Sequence, residues 1–163
     1  MHHNNRVRPI LLTLLICLLS VPLFCVPSRN VLIIHSYHRG FLWTDTIDSG
    51  IRRTFRAAGE SLELYSEYYD VKRFSPETRE EPFGRYLAEK YGPDEFAAVI
   101  VSDDSAFRFA VDNRGRLFPG IPIVFCGLNN YEVFPGERIE GTTGVAEDFD
   151  VGANLHLIAR IHG

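Results

Sequence analysis

The chain has 163 residues, of which 45% are apolar, and this is enough for one domain with a packed core. Its net charge is −4 at pH 7, and basic residues are interspersed with acidic ones rather than gathered in a run. Because binding to nucleic acid needs a concentrated positive surface, we expect no nucleic-acid partner.

The first 28 residues have the pattern of a targeting segment rather than of a domain core. Arg6 and Arg8 precede an uncharged stretch, Ile10–Val26, that is rich in Leu and Ile and is followed by turn-forming residues. This order predicts a secretory signal peptide, with an uncleaved membrane anchor as the alternative. We therefore expect residues 29–163 to be exported to the periplasm or another extracytoplasmic compartment, and to contact the membrane only through the N-terminal segment.

The three cysteines are compatible with export without a disulfide framework. Cys17 and Cys25 fall in or beside the predicted signal, which leaves Cys126 alone in the predicted domain. A single cysteine cannot form an internal disulfide, so we expect Cys126 to be a small buried apolar residue.

Five strands are predicted after the signal. Three short apolar runs are rich in β-branched residues and show no polar alternation, which is typical of strands buried on both faces of a parallel sheet. A fourth segment mixes apolar and polar residues, as an edge strand does, and a fifth is short. The predicted strands, in chain order, are Val31–His35, Leu62–Tyr69, Ala97–Val101, Ile121–Phe125 and Thr142–Val145.

The first two helices are predicted from capping residues and apolar spacing. Thr44 is a candidate N-cap for a helix whose apolar residues recur every fourth position and which ends near Gly59. Ser75 followed by Pro76 predicts the start of the second helix. Pro82 then predicts either a kink or a later start near Phe83.

Two more helices complete an alternation of strands and helices. One is predicted from Asp104 to about Leu117, capped by Asp104 or Ser102, and Asp150 begins the last. This alternation implies an α/β fold with a parallel sheet and right-handed crossovers. We expect a flavodoxin-like sheet with strand order 2-1-3-4-5.

Polar side chains follow the strands where each strand ends. In an open parallel sheet, ligands bind outside the carboxyl ends of the strands, so these residues predict a binding site. Hydroxyl, carboxylate and amide groups there can hydrogen-bond a ligand, and an aromatic ring can form a pocket wall. Because neighbouring carboxylates repel an anion, we expect a small neutral or zwitterionic organic ligand. The candidate residues are Ser36, Tyr37, Trp43, Asp103, Asp104, Asn129, Asn130 and Glu147.

Metal and enzyme chemistry are less favoured by the sequence. His35 and His38 straddle a strand end and would diverge, so we expect one packed and one solvated histidine, no metal site and no cofactor. The charged residues after strand two, from Asp70 to Arg73, are expected to be solvated.

The chain lacks the nucleophile-elbow, phosphate-loop and dinucleotide motifs, so we do not expect an enzyme. The alternative is a small secreted flavodoxin-like hydrolase that uses Ser36 or Ser105 with a histidine.

Several of these segments together resemble one family. They are, in order, NVLIIHSYH at Asn30–His38, WTD at Trp43–Asp45, VSDD at Val101–Asp104, FPGIPIVFCG at Phe118–Gly127, NN at Asn129–Asn130 and TGV at Thr143–Val145. The chain is similar here to the substrate-binding-protein-like sensor family, which is related to the periplasmic solute-binding proteins of ABC transporters.

The resemblance implies a two-lobed fold of the periplasmic binding protein type I kind, with ligand held between the lobes. Residues 29–163 would form the first lobe, and the second lobe is absent from this sequence. The implied function is extracytoplasmic binding or sensing of a small molecule, as the N-terminal part of a sensor histidine kinase or as a transport receptor. A kinase or a permease would then be the partner. A remnant without function is a further alternative, and it predicts an exposed apolar face between the lobes.

Overall fold

The computed structural model describes residues 30–60, 62–92, 95–129, 139–147 and 151–162. Strands and helices alternate along most of this part of the chain. The strands are β1 (Asn30–His35), β2 (Glu63–Tyr68), β3 (Ala98–Ser102), β4 (Ile123–Leu128) and β5 (Thr142–Ala146). The helices are α1 (Leu42–Ala57), α2 (Pro76–Lys90), α3 (Asp103–Asp112), α4 (Arg114–Leu117) and α5 (Val151–His162). The predicted N-terminal signal lies outside the described residues.

The five strands form one parallel sheet in the order β2-β1-β3-β4-β5. The predicted fold class and strand order are therefore confirmed. The register pairs His35 with Ser102 and Ser102 with Cys126, so β1, β3 and β4 end at the same edge. β2 lies at one end of the sheet, as its mixed composition predicts, because an edge strand is only partly covered.

The main apolar core lies between the sheet and the helices α2 and α3. Even-numbered residues of β1 face this layer, where they join Phe83 and Leu87 of α2 and Phe107 of α3. Period-two alternation turns the odd-numbered residues to the opposite face. There His35 contacts Asp48 of α1, so α1 covers the other side of the sheet from α2. The inner strands β1 and β3 are thus buried on both faces, as their apolar sequences require, whereas β5 is mostly exposed.

Helix α1 begins two residues before the predicted cap. Thr44 is its third residue and is fully buried, so the prediction that Thr44 is the N-cap is wrong. Phe41 occupies the cap position without a side-chain hydrogen bond, and Asp45 accepts a hydrogen bond from the Gly40 N–H at 3.0 Å. Gly40 has φ +90°, a turn conformation that glycine adopts without steric cost.

Helix α2 begins at Pro76, directly after Ser75, as predicted. It continues through Pro82, so the alternative of a later start near Phe83 is wrong. A proline inside a helix removes one backbone hydrogen bond, and burial of Phe83 and Leu87 on the following turns anchors the helix beyond it.

The predicted single helix after β3 is divided into α3 and α4. Asn113 separates them, with φ −97° and ψ 5°. Its side-chain amide donates to the carbonyl of Phe109 at 3.0 Å and to Glu80 at 3.2 Å. An asparagine that bonds to the backbone in this way competes with continued helix, which explains the break.

Helix α5 exposes its apolar residues. Leu155, Leu157, Ile158 and Ile161 are each more than half exposed. Among the described residues, no helix combines the length and the apolar character needed to cross a membrane.

Candidate functional site

The carboxyl ends of β1, β3, β4 and β5 bring most of the predicted site residues to one edge of the sheet. We call the group at this edge the strand-end cluster. Asn130 lies outside the described residues. The members of the strand-end cluster are Tyr37, Trp43, Asp103, Asp104, Gly127, Asn129 and Glu147.

Asp103 is the buried acid of the cluster. It is 4% exposed and has φ +68°, a left-handed conformation that Asp tolerates better than most residues. The indole N–H of Trp43 donates to both carboxylate oxygens, at 3.0 and 3.2 Å. Burial raises the pKa of Asp103 to about 6; hydrogen bonds from Trp43 and Ser102 oppose the rise, and the charges of Asp104 and Glu147 add to it. Asp103 therefore titrates at mildly acidic pH.

Gly127 lies beside this acid–indole pair. Its φ of +69° favours glycine. A Cβ added there would lie 3.5 Å from Cζ2 of Trp43 and 3.8 Å from Oδ1 of Asp103. The end of β4 therefore approaches the pair closely, with only backbone at the nearest point.

Tyr37 forms an aromatic wall beside Asp103. Its ring packs edge-to-face against Phe41, with centroids 5.2 Å apart, and Nζ of Lys72 lies 4.7 Å from the Tyr37 ring centroid. Burial raises the pKa of Tyr37, and the charge of Asp103 raises it further. The phenol is thus protonated at neutral pH, with acidic groups near it and an ammonium group over its ring.

Asp104 holds the end of β4 in place. Its Oδ1 accepts a hydrogen bond from the backbone N–H of Asn129 at 3.2 Å. The Asn129 side-chain amide donates to the carbonyl of Gly127 at 3.4 Å, and Asn129 is exposed. Asp104 also lines a neighbouring cavity of about 310 Å³ between α2 and α3, together with Ser105 and Arg108. A ligand at the cluster would have room to extend in that direction.

Ser36 has a structural role in this arrangement. Its side chain is fully buried, its hydroxyl donates to the carbonyl of Ser102 at 2.7 Å, and its oxygen accepts the N–H of Ala106 at 2.8 Å. Ser36 therefore caps the first turn of α3 from the neighbouring strand. Of the two predicted caps, Ser102 does occupy the N-cap position of this helix, but its side chain makes no cap hydrogen bond; Asp104 lies inside the helix, so the prediction is wrong for Asp104.

A buried hydrogen-bonded chain leads from Asp103 through the sheet to α1. Nδ1 of His35 lies 3.0 Å from Oγ of Ser102, which also hydrogen-bonds to Asp103, and Nε2 of His35 lies 3.3 Å from Oδ1 of Asp48. Burial lowers the pKa of His35, and the hydrogen bond to Asp48 only partly offsets this. Burial also raises the pKa of Asp48, but hydrogen bonds from Arg52, Ser66 and His35 outweigh it and the net pKa is lowered. His35 is thus a neutral histidine that links β1, β3 and α1.

The residues after β2 differ from the sequence prediction. Asp70 is 4% exposed with φ +63°, and Nε of Arg73 donates to its two oxygens at 3.0 and 2.9 Å. Nδ1 of His38 lies 3.3 Å from Oδ1 of Asp70. The prediction of a solvated charge group is therefore wrong for Asp70. Sequence reasoning also missed that Lys72 reaches the ring of Tyr37; the available signal was that β2 ends at the same edge as β1.

Cys126 lies near the cluster without being activated. Burial raises the pKa of its thiol to about 11, and the charges of Asp103 and Glu147 contribute. The thiol is therefore protonated at neutral pH and is a poor nucleophile. In the part of the chain that the structure describes, no group of three or more His, Cys, Asp or Glu side chains could hold a metal ion.

Comparison of the chain with models of known protein families, with curated proteins and with solved structures finds no match. The geometry of the site and the sequence resemblance are therefore what bear on function.

Proposed function

We propose that this protein is an extracytoplasmic lobe that binds a small zwitterionic ligand at the strand-end cluster. The single observation that carries the proposal is the distribution of charge around Tyr37. Asp103, Asp104 and Glu147 all raise its pKa, whereas the ammonium group of Lys72 lies over its ring. A ligand with an ammonium group at one end and a carboxylate at the other would match this polarity.

The rest of the cluster supports a small organic ligand. Trp43 is 40% exposed and Asn129 is exposed, so an aromatic face and an amide are accessible next to the buried acid. Aromatic walls with a few convergent polar groups are typical of small-molecule sites. The three acidic residues would repel a purely anionic ligand.

The resemblance to the substrate-binding-protein-like sensor family extends the proposal to the whole protein. In that interpretation the sheet edge is one wall of a cleft between two lobes, the chain is exported, and a sensor kinase or a permease receives the signal or the solute. Fractionation of cells that express the full chain tests export. We expect the protein in the periplasmic or membrane fraction, and recovery in the cytosolic fraction would contradict this part of the proposal.

Ligand binding is tested by thermal denaturation of the purified full chain in a non-ionic detergent. The compounds are amino acids, nucleosides, sugars and small organic acids. A ligand that binds only the folded state stabilises it by mass action and so raises the melting temperature. At a ligand concentration of about a hundred times Kd, the added free energy of unfolding is about 2.7 kcal/mol. We expect the shift with amino acids. A shift with none of the four classes would contradict the binding function.

Two variants separate the two ends of the site. Asp103→Asn removes the negative end, and Lys72→Gln removes the positive end. We expect each to weaken binding of the amino acid by about tenfold or more, because each removes a charge that attracts the opposite charge of the ligand. Glu89→Gln and Arg85→Gln remove matching charges from exposed positions on α2 and should leave binding unchanged. Equal weakening by all four variants would contradict a specific site.

The contacts of the described serines do not favour the hydrolase alternative. The Ser36 hydroxyl donates to a backbone carbonyl rather than to a histidine. Ser102 does contact His35, but it is fully buried, so a substrate could not reach it. The cavity that Ser105 lines has no histidine among its lining residues.

A further inference from the structure

A second polar cavity lies on the opposite side of β1 from the main core, between α1 and β2. Its volume is about 660 Å³, and we call it the arginine cavity. Four guanidinium groups and two carboxylates line it, so it carries two net positive charges in a chain whose net charge is −4. Its lining residues are Arg39, Asp45, Asp48, Ser49, Arg52, Arg53, Arg56, Ser66 and Tyr68.

The positive charge comes largely from one face of α1. Ser49, Arg52, Arg53 and Arg56 are spaced at i, i+3, i+4 and i+7, which places them on the same side of a helix. Like charges at i and i+4, such as those of Arg52 and Arg56, destabilise a helix. Arg52 is paired with Asp48 one turn earlier and Arg56 lies in the last turn, where positive charge suits the helix dipole, but the repulsion between these arginines remains and an anionic partner would relieve it.

The two carboxylates of the cavity already have partners. Asp48 accepts hydrogen bonds from Arg52 at 2.7 Å and from Ser66 at 2.6 Å, and it contacts His35. Asp45 accepts the backbone N–H of Gly40. Both carboxylates are thus hydrogen-bonded within the protein, and most of the arginines of the cavity have no carboxylate partner there.

Three of the four arginines are available to a ligand. The side chains of Arg39, Arg53 and Arg56 are exposed, and they make no hydrogen bond or ion pair with another residue that the structure describes. The hydroxyl groups of Ser49 and Tyr68 likewise make no hydrogen bond with any residue that the structure describes. The cavity therefore presents three unmatched guanidinium groups and two neutral donors, and its lining has no aliphatic side chain.

We propose that the arginine cavity binds a ligand that carries a phosphate or pyrophosphate group. The planar guanidinium group donates two parallel hydrogen bonds to phosphate oxygens, and several arginines around one cavity suit a group with more than one negative charge. A hydrophilic lining fits the anionic head of a ligand rather than an acyl or aromatic part. The phosphate could belong to a soluble ester or to a phospholipid headgroup. This site is separate from the strand-end cluster, which favours a zwitterion.

The test is calorimetric titration of the purified full chain with inorganic pyrophosphate, in a non-ionic detergent, at low and at high salt. We expect saturable binding that weakens as salt screens the charges. The double variant Arg53→Gln/Arg56→Gln should weaken binding by about tenfold or more, since two charged donors are lost. The matched control, Arg85→Gln/Arg160→Gln, removes the same charge from α2 and α5. Tyr68→Phe removes only the hydroxyl group and leaves the net charge of the cavity unchanged, so it should weaken binding to a smaller extent.

Vesicles of neutral lipid and vesicles that contain an anionic phospholipid distinguish the two sources of phosphate. If pyrophosphate binds and neither kind of vesicle does, the result supports a soluble ester. If only the anionic vesicles bind, and this binding is lost in the Arg53/Arg56 double variant, the result supports a headgroup. Absence of both, or equal loss in the cavity variant and in the matched control, would overturn the proposal. Because amino-acid binding is measured separately, failure here is distinguishable from failure of the proposed function.

Discussion

The indole N–H of Trp43 donates to both carboxylate oxygens of Asp103, at 3.0 and 3.2 Å. Trp43 is the second residue of α1 and Asp103 is the first residue of α3, and the two helices follow neighbouring strands. The pair therefore joins the first turns of two helices across the edge of the sheet where ligand binding is proposed.

Replacement of Trp43 by Phe should raise the pKa of Asp103 further. The hydrogen bond from the indole stabilises the charged carboxylate and opposes the effect of burial. Phe keeps an aromatic ring but has no donor. Titration of the Asp103 carboxyl carbon by NMR measures the change, with Tyr86→Phe on α2 as a distant control. A pKa that is unchanged or lowered in Trp43→Phe would show that the indole does not stabilise the carboxylate.

Asp103 should make the folded state less stable as pH rises. Its pKa is about 6 in the folded state against an ordinary value of 3.8, so the folded state binds the proton more tightly than the unfolded state does. The resulting stabilisation is complete below about pH 4 and is lost as pH rises through about 6. After allowance for solvent screening, we expect the Asp103 contribution to fall by about 2 kcal/mol over this window.

The variant Asp103→Asn isolates this effect, because Asn tolerates the left-handed conformation and has no charge. Urea denaturation at a series of pH values should show the loss of stability above pH 4 in the parent chain and a smaller loss in the variant. Glu89→Gln, at an exposed position on α2, should keep the parent profile. Identical profiles for Asp103→Asn and the parent would contradict the assignment.

The sequence was sufficient to predict the sheet but not every helix boundary. Apolar runs such as Val31–Ile34 are buried on both faces, so their composition alone identifies them as inner strands. The start of α1 was missed, because Thr44 has the composition of a cap but lies inside the helix. Capping rules are local, and the turn at Gly40 that begins this helix depends on Asp45, five residues later.

The candidate site was predictable to the extent that it follows from strand order. Tyr37, Asp103 and Asn129 reach one edge because parallel strands end together. Their individual partners were not predictable, since Ser36 caps a helix 70 residues further along the chain. The burial of Asp70 also depends on contacts with Arg73 and His38 that composition does not reveal.

Ser36→Ala should destabilise the fold by about 1 to 3 kcal/mol, because the buried N–H of Ala106 loses this acceptor, while the carbonyl of Ser102 keeps the backbone N–H of residue 36. Urea denaturation measures the loss, and hydrogen exchange should show it at the first turn of α3. Ser105→Ala, on α3 but only half-buried, is the control and should cost far less. Equal stability of the Ser36 and Ser105 variants would contradict the capping role.

Thr44→Val should stabilise the protein, the opposite of what most changes in a core do. Thr44 is fully buried, and its hydroxyl oxygen has no hydrogen-bond partner in the described structure. Valine has nearly the same shape and a similar helix propensity, so the change mainly removes the cost of the buried hydroxyl. We expect a gain of about 1 kcal/mol in the free energy of unfolding, seen as a melting temperature higher by about 3 to 6 °C.

The matched control for this prediction is Thr54→Val, on the same helix. The Thr54 hydroxyl is exposed and donates to the carbonyl of Gly50 at 3.0 Å, so its removal should leave stability nearly unchanged or slightly lower. If Thr44→Val instead lowers the melting temperature, the hydroxyl has a partner in solution, such as a buried water, that stabilises the start of α1. The difference between the two variants therefore reports directly on whether the Thr44 hydroxyl is satisfied.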